Sequence, residues 1–494
     1  MALQLNLENI PDISKSVRVP TYARSDLSAG IVHFGVGNFH RAHQAVYLDT
    51  LFNIGKDKDW AIVGAGVLPS DEKMRKVLKG KDFLTSVVEQ SASESKVLVT
   101  GAMVDFISPK KPSQIIDALA DPAIRIVSLT ITEGGYFINP ASGIFDPGHP
   151  EIVADAATPD TPKTVFGFLV AGLKRRRDSG TPPFTIMSCD NIPHNGVVTH
   201  NAVVGLSELS NKGFAKWIHN NVAFPNGMVD RITPATGDRE REILASDFGI
   251  EDGSPVFCED FTQWVLEDSF PAGRPALETV GVQFVSDVTP YETMKIRILN
   301  GGHAVIAYPA GLLDIHFAHE AMEHPLIKGF LEKVERDEII PIVPPVPNTR
   351  LEEYYKKIEE RFANPKIGDT IRRLCLDGSN RQPKFIIPSV ADRLRTGGSV
   401  TGLALESALW CRYCYGSTES GSVIEPNDPN WDRLVEASRA AKEDPMAWLK
   451  MEDIYGNVAS SPVFRRRFAH MLEELWNKGV IAILTKYLEG EYEG

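Results

Sequence analysis

From Gly30 to about Pro290, short apolar runs alternate with polar and helix-like stretches: IVHFGVG, WAIVGAGVL, KVLVTGAMVDFI, IRIVSLTITEGG, FTIMSCDN and VGVQFVSDV. The runs are continuous rather than alternating, the pattern of strands covered on both faces, so they predict a mainly parallel sheet flanked by helices. The class is α/β, with a Rossmann-type N-terminal domain. Beyond Thr289 the pattern lengthens to amphipathic stretches at helical spacing, among them HEAMEHPLIKGFLEKVERDEI, LEEYYKKIEERF, LALESALWCRYCYG and SPVFRRRFAHMLEELWNKG. They predict a mostly α-helical C-terminal domain, with boundaries at 1–288 and 289–494. Within it PIVPPVPNTR reads as a connector, and Thr349 with Glu352 as a capping box for the helix that follows.

The junction between the two patterns carries T-P-Y-E-T-M-K-I-R-I-L-N-G-G-H, residues 289–303. Thr289 suits an N-cap, Pro290 the first helical position and Glu292 the third, so a helix start is predicted there. At about 100° per residue in an α-helix, Asn300 lies roughly 140° and His303 roughly 80° around from Lys295, and one broad face presents all three. A buried lysine with a lowered pKa can take a proton from an alcohol, while amide and imidazole groups hold a developing oxyanion. Arg297 is a candidate for the cation that lowers it.

The first apolar run ends in Gly35-Val36-Gly37-Asn38-Phe39-His40-Arg41, a G-x-G turn between a predicted strand and a predicted helix. Such a turn lets the backbone approach a pyrophosphate, and free N–H groups at a helix start favour an anion. His40 stands where a third glycine is usual. The second run ends near Asp71, placed for an adenosine ribose or for capping the next helix. With no Arg or Lys at that strand tip, the cofactor expected is NAD rather than NADP. Two further strand ends, carrying Thr132 with Glu133 and carrying Asn191, point to the same edge of the sheet, where ligands of open α/β sheets gather.

Composition narrows the partners. With 52 basic and 65 acidic residues the net charge is −13, which offers nucleic acid and anionic membranes no general attraction. The first residues lack a basic segment followed by an apolar core, so a cytoplasmic protein is expected, without nucleic-acid or membrane partners. Both domains read as complete, which is compatible with a monomer. Five cysteines are too few for a disulfide framework, and Cys411-x-x-Cys414 sits in a helix-like run with no second pair at zinc spacing, so helix packing is expected of it. No metal site is predicted.

Taken in order, GVGNFHRAHQA, TITEGGY, SCDNIPHNG, FPNGMVDRITP (224–234), QWVLED and the K-x4-N-x2-H of the junction resemble the polyol-specific long-chain dehydrogenases and reductases. The resemblance spans most of the chain. It implies a metal-independent, NAD(P)-dependent enzyme interconverting a secondary alcohol of a polyol and a ketose, with mannitol and fructose the first pair, arabinitol or a hexuronate (fructuronate or tagaturonate) the alternatives. It implies Lys295 as general base, Asn191 and Asn300 on either side of the reacting oxygen, His303 orienting the hydroxyl and Asp230 binding further hydroxyls. Arg373 and Lys384 look like further substrate contacts, with Arg381 close enough in sequence to compete with Lys384 for that role. The missing third glycine also matches the family pattern.

Overall fold

A computed structural model describes residues 2–139 and 143–492. The chain forms two compact units, Met1–Thr289 and Pro290–Gly494.

In the first unit five strands make one sheet: β1 (Ala29–Phe34), β2 (Ala61–Ala65), β3 (Met103–Ile107), β4 (Ile126–Leu129) and β5 (Thr185–Ser188). All pair in parallel, in the order β3-β2-β1-β4-β5. The strand order reverses between β1 and β4, which places a ligand crevice at their carboxyl ends. Val32, Phe34, Val127, Leu129 and Ile186 bury one face against Phe166, Leu169 and Leu173 of the helix Val165–Ser179. Ile31, Ile62, Met103 and Ile126 bury the other against Leu48, Leu51 and Phe52 of the helix Gln44–Asn53. Burial on both faces is why these strands read as continuous apolar runs.

Among the described residues two three-stranded mixed sheets and a two-stranded parallel pair, Leu3–Gln4 with Ile250–Glu251, also belong to this unit. Thr85–Gln90 pairs in parallel with Val256–Glu259 and antiparallel with Ser95–Thr100. Gln263–Glu267 pairs antiparallel with Gly227–Asp230 and in parallel with Gln283–Val285. The run KVLVTGAMVDFI is therefore two strands serving different sheets. It breaks at Gly101, whose N–H donates to the buried Asp49 carboxylate at 2.9 Å. A side chain at Gly101 would press on Pro20, Tyr22 and Arg24. VGVQFVSDV likewise contributes to a small sheet and not to the main one.

The second unit is helical. Its centre is Thr401–Tyr413, buried along its whole length, beside Gly301–Leu312, Pro325–Val334 and the long Pro462–Leu488, which kinks at Gly479. Cys411 and Cys414 lie inside this packing as free thiols, raised in pKa by burial, and take part in helix packing as expected. The helix Leu351–Phe362 begins without the predicted capping box: Arg350 is its N-cap, and the Thr349 hydroxyl donates to the Pro347 carbonyl at 3.2 Å. The proline before it draws the hydroxyl away from the helix start. Among the described residues no helix is long and apolar enough to cross a membrane.

Burial within the central helix has a measurable consequence at Glu406, which is fully buried. It accepts from Gln382 through one oxygen, while the other has no hydrogen-bond partner among the described residues. Burial pushes its carboxyl up from 4.5 to about 8. Between those values the folded protein holds a proton that the unfolded chain has released, so this group's contribution is complete below pH 4.5 and is lost as pH rises to about 8. The slope is at most about 1.4 kcal/mol per pH unit. Glu406→Gln, compared with wild type by urea unfolding at pH 5 and pH 9, is expected to gain stability relative to wild type at the higher pH and not at the lower.

Candidate active site

The glycine turn leaves β1 at its carboxyl end. Gly35 has φ +91°, and a Cβ there would run into the Thr130 carbonyl beside it. Its own carbonyl accepts from Gly37 N–H at 2.7 Å, closing the turn. Around Gly37 the space is open, the nearest atom to a built Cβ being 3.8 Å away. Gly37 precedes the short helix Asn38–Ala42 with no side chain capping its first N–H groups. A tight turn, open space and uncapped donors fit a dinucleotide pyrophosphate.

The side chains after the turn face inward. Arg41 is 1% exposed and donates to the Gly37 and Ser254 carbonyls and to Asn38 Oδ1. Asn38 donates in turn to the Pro234 carbonyl and Thr236, and Phe39 stacks on His43 at 4.8 Å. His40 lies buried beneath the turn, its ring held neutral by burial first and by His33 and Arg41 next. The structure thus assigns Arg41 and His40 to the scaffold of the turn, whose backbone is the part that faces out. At the tip of β2, Asp71 Oδ2 accepts the N–H groups of Val67 and Leu68 at 2.8 Å each, capping the helix Pro69–Lys79.

At the ends of β4 and β5 a residue that sequence reasoning passed over organises the neighbourhood. Asp190 accepts from Ile131 N–H at 3.0 Å, Thr132 N–H at 2.8 Å and the Tyr136 hydroxyl at 2.7 Å. Burial raises its pKa against those three bonds. Thr132 is held at φ 63°, ψ 166°, a strained conformation for a β-branched residue, costing about 1–3 kcal/mol. Asn191 follows Asp190 in a tight exposed turn, where Ile192 N–H and Asn195 Nδ2 both donate to the Asp190 carbonyl. Asn195 also bonds both backbone groups of Gly227, the first residue of the strand that ends at the buried Asp230. Thr132, Glu133, Asn191 and Asp230 therefore hang on one hydrogen-bonded frame.

In the second unit the predicted helix is present, but its period is not 3.6 throughout. Thr289–Met294 and Gly301–Leu312 are α-helical, and Lys295–Asn300 between them is a π-helix, with Gly301 N–H reaching back five residues to the Ile296 carbonyl. In an i to i+5 ladder, residues five apart are about one turn apart, so Lys295 and Asn300 stack on one face and are not roughly 140° apart as an α-helix would have them. Lys295 is 6% exposed, and Asn300 Oδ1 is buried without a hydrogen-bond partner among the described residues.

His303 stacks on Phe362 at 4.2 Å, with its Nε2 buried and without a hydrogen-bond partner among the described residues. Burial first, then Arg373, Arg361 and Arg381, hold the ring neutral. Arg373 is forked onto the buried Asp369 through two of its three guanidinium nitrogens. Arg381 donates to the carbonyls of Arg373 and Leu374 at 3.3 Å, while Lys384 is exposed with no hydrogen-bond or ion-pair partner among the described residues. Arg297 pairs with Asp392 and Ser389 at 2.9 Å, which neutralises the charge expected to act on Lys295. Among the described residues no group of three or more His, Cys, Asp or Glu could hold a metal ion.

Residues 29–279 match the mannitol dehydrogenase Rossmann domain and residues 287–476 the mannitol dehydrogenase C-terminal domain. The chain is 58% identical to mannitol 2-dehydrogenase of Cereibacter sphaeroides, over 96% of this chain and 100% of that one. It superimposes with a TM-score of 0.89 on Pseudomonas fluorescens mannitol 2-dehydrogenase in ternary complex with NAD and D-mannitol, at 42% identity over 99% of this chain and 100% of the other. A D-sorbitol dehydrogenase in substrate-free form gives a TM-score of 0.90 at 36% identity, over 97% and 100% of the two chains. With both of its units matched and near-complete relatives on every side, the chain belongs to the mannitol dehydrogenase family.

Proposed function

We propose that the protein oxidises D-mannitol to D-fructose with NAD, and catalyses the reverse reduction, with Lys295 as the proton acceptor. The observation that carries this reading is the π-helical turn, which puts the buried Lys295 and the amide of Asn300 on one face. In the oxidation direction a neutral Lys295 amine takes the proton from the C2 hydroxyl. Asn300 and Asn191 donate to the oxygen as charge builds on it, which is work a Lewis acid does elsewhere, so the proposed reaction is metal-independent. His303, neutral and braced by Phe362, orients the same hydroxyl, and Asp230 accepts from hydroxyls further along the chain. Bound NAD supplies the hydride acceptor, held at the backbone of Gly35 to Phe39, with Asp71, Thr132 and Glu133 at its edges. In the reduction direction the Lys295 ammonium returns the proton.

The state of Arg373 supports a neutral substrate. A guanidinium forked on a buried carboxylate has little net charge left for a hexuronate, although it can still donate to a hydroxyl. Five free, buried cysteines suit a reducing cytoplasm.

Initial rates with mannitol, sorbitol, arabinitol, fructuronate and tagaturonate, each with NAD or NADP in the appropriate redox state, test the reading. The highest kcat/KM is expected for mannitol with NAD. Activity confined to the two acids would overturn the substrate, and a preference for NADP would overturn the cofactor.

A further inference from the structure

Beneath the glycine turn runs an unbroken row of polar side chains, buried at Gln44, Ser128 and His33 and half-buried at Thr130. His33, in β1 and fully buried, has Nδ1 2.8 Å from Ser128 Oγ and Nε2 2.9 Å from Thr130 Oγ1. Thr130 Oγ1 is 2.6 Å from the Gly35 carbonyl oxygen, and Ser128 Oγ is 3.0 Å from the side-chain amide of Gln44. His40, the residue standing where a third glycine is usual, stacks on His33 with ring centroids 3.5 Å apart and planes 14° from parallel, closing the row off from water.

Counting protons gives the row a direction. Two oxygens 2.6 Å apart need a proton between them, and a carbonyl has none to give, so the Thr130 hydroxyl donates to Gly35. Its single proton is then spent, and Thr130 Oγ1 accepts from His33 Nε2–H. Burial pushes the His33 pKa down to about 3, so the ring is neutral and its Nδ1 is an acceptor, supplied by the Ser128 hydroxyl. Ser128 must in turn accept from Gln44, which places the amide nitrogen toward Ser128 where the oxygen is drawn. That exchange also gives a partner to Gln44 Nε2, which is otherwise buried with none among the described residues.

We propose that this one-way chain, from Gln44 through Ser128, His33 and Thr130 to the Gly35 carbonyl, sets the peptide orientation of the nucleotide-binding turn, so that these four are positioning residues for cofactor binding. In a trans peptide the C=O and N–H point in opposite directions. Drawing the Gly35 oxygen into the sheet therefore aims the Val36 N–H away from it, out of the turn. The Gly35 oxygen also accepts from Gly37 N–H at 2.7 Å and has His33 Nε2 at 3.2 Å, so loss of the Thr130 hydroxyl weakens the anchor without removing it, and the peptide can tilt its carbonyl, with its partial negative charge, toward the pyrophosphate. Hydrogen bonds in such a buried row reinforce one another, and the neutral histidine relays polarity between two strands that no single hydroxyl spans. The inference rests on the proposed NAD reading of this turn.

The test is Thr130→Val, which keeps the shape of the side chain and removes the donor, beside Thr130→Ser, which restores it, and Gln44→Leu, which cuts the far end. NADH affinity is read by fluorescence titration, with steady-state kinetics and thermal melts alongside. Thr130→Val is expected to raise the NADH Kd and the KM for NAD about tenfold, with kcat and the polyol KM changed less than about twofold. Thr130→Ser is expected to lie within about twofold of wild type and Gln44→Leu to show the same split more weakly. A cooperatively folded Thr130→Val with wild-type NADH affinity overturns the proposal, as does an equal loss in Thr130→Val and Thr130→Ser. If Thr130→Val does not fold, wild-type affinity in Gln44→Leu overturns it instead. Wild-type protein that binds no NADH overturns the nucleotide reading itself, a result distinct from all of these.

Discussion

Replacing Lys295 by alanine is expected to lower kcat for mannitol oxidation by about a thousandfold, within the range for loss of a positioned general base. NADH binding should be unchanged, because the glycine turn belongs to the other unit of the chain. The size of the effect follows from where the lysine sits. At 6% exposure its amine is largely removed from water, so bulk solvent is a poor substitute for it. Lys295→Met, which keeps the length of the side chain and drops the amine, should lose as much as alanine, and Lys295→Arg should not rescue, since a guanidinium stays protonated. The measurement is kcat and kcat/KM across pH, with NADH affinity and a thermal melt as controls for folding. If either neutral variant turns over at near wild-type rates, Lys295 is not the base.

How much of this site is legible in the sequence depends on the kind of interaction. The continuous apolar runs identify β1, β2, β4 and β5, because burial on both faces leaves a strong one-dimensional signal. The helices after Thr289 are equally plain from their spacing. The π-turn is not, because every periodicity argument assumes 3.6 residues per turn, and a locally wider turn changes no residue type. A face that requires a broad sweep in an α-helix becomes a narrow stripe once the ladder shifts by one. Asp190 is invisible for another reason. Its partners Ile131 and Thr132 donate through their backbone N–H groups, which carry no side-chain signature, from almost sixty residues away. Arg41 and Asp71 show the converse: their types suit a ligand, yet Arg41 is spent on backbone carbonyls and one Asp71 oxygen on a helix cap. The row under Gly35 combines the two difficulties. His33 and Ser128 lie in strands whose apolar neighbours dominate the pattern, and only their pairing across β1 and β4 shows what they hold.

The second large effect is expected at the two asparagines. Asn300→Ala and Asn191→Ala should each lower kcat by about a hundredfold to a thousandfold, the usual loss on removing one preorganised donor to a developing oxyanion. Asn300→Asp should do worse than alanine despite its nearly identical shape, because a carboxylate beside a growing negative charge adds repulsion to the lost hydrogen bond. The double replacement decides whether the residues act on the same oxygen. If both amides donate to one atom, removing the first lets that atom and its surroundings relax, so the second loss is smaller and the double variant falls short of the product of the singles. Asparagines serving different hydroxyls would give losses that multiply. A coupling between them therefore reports that both amides serve one oxygen. Multiplicative losses would leave Lys295 as base but assign Asn191 to a separate hydroxyl.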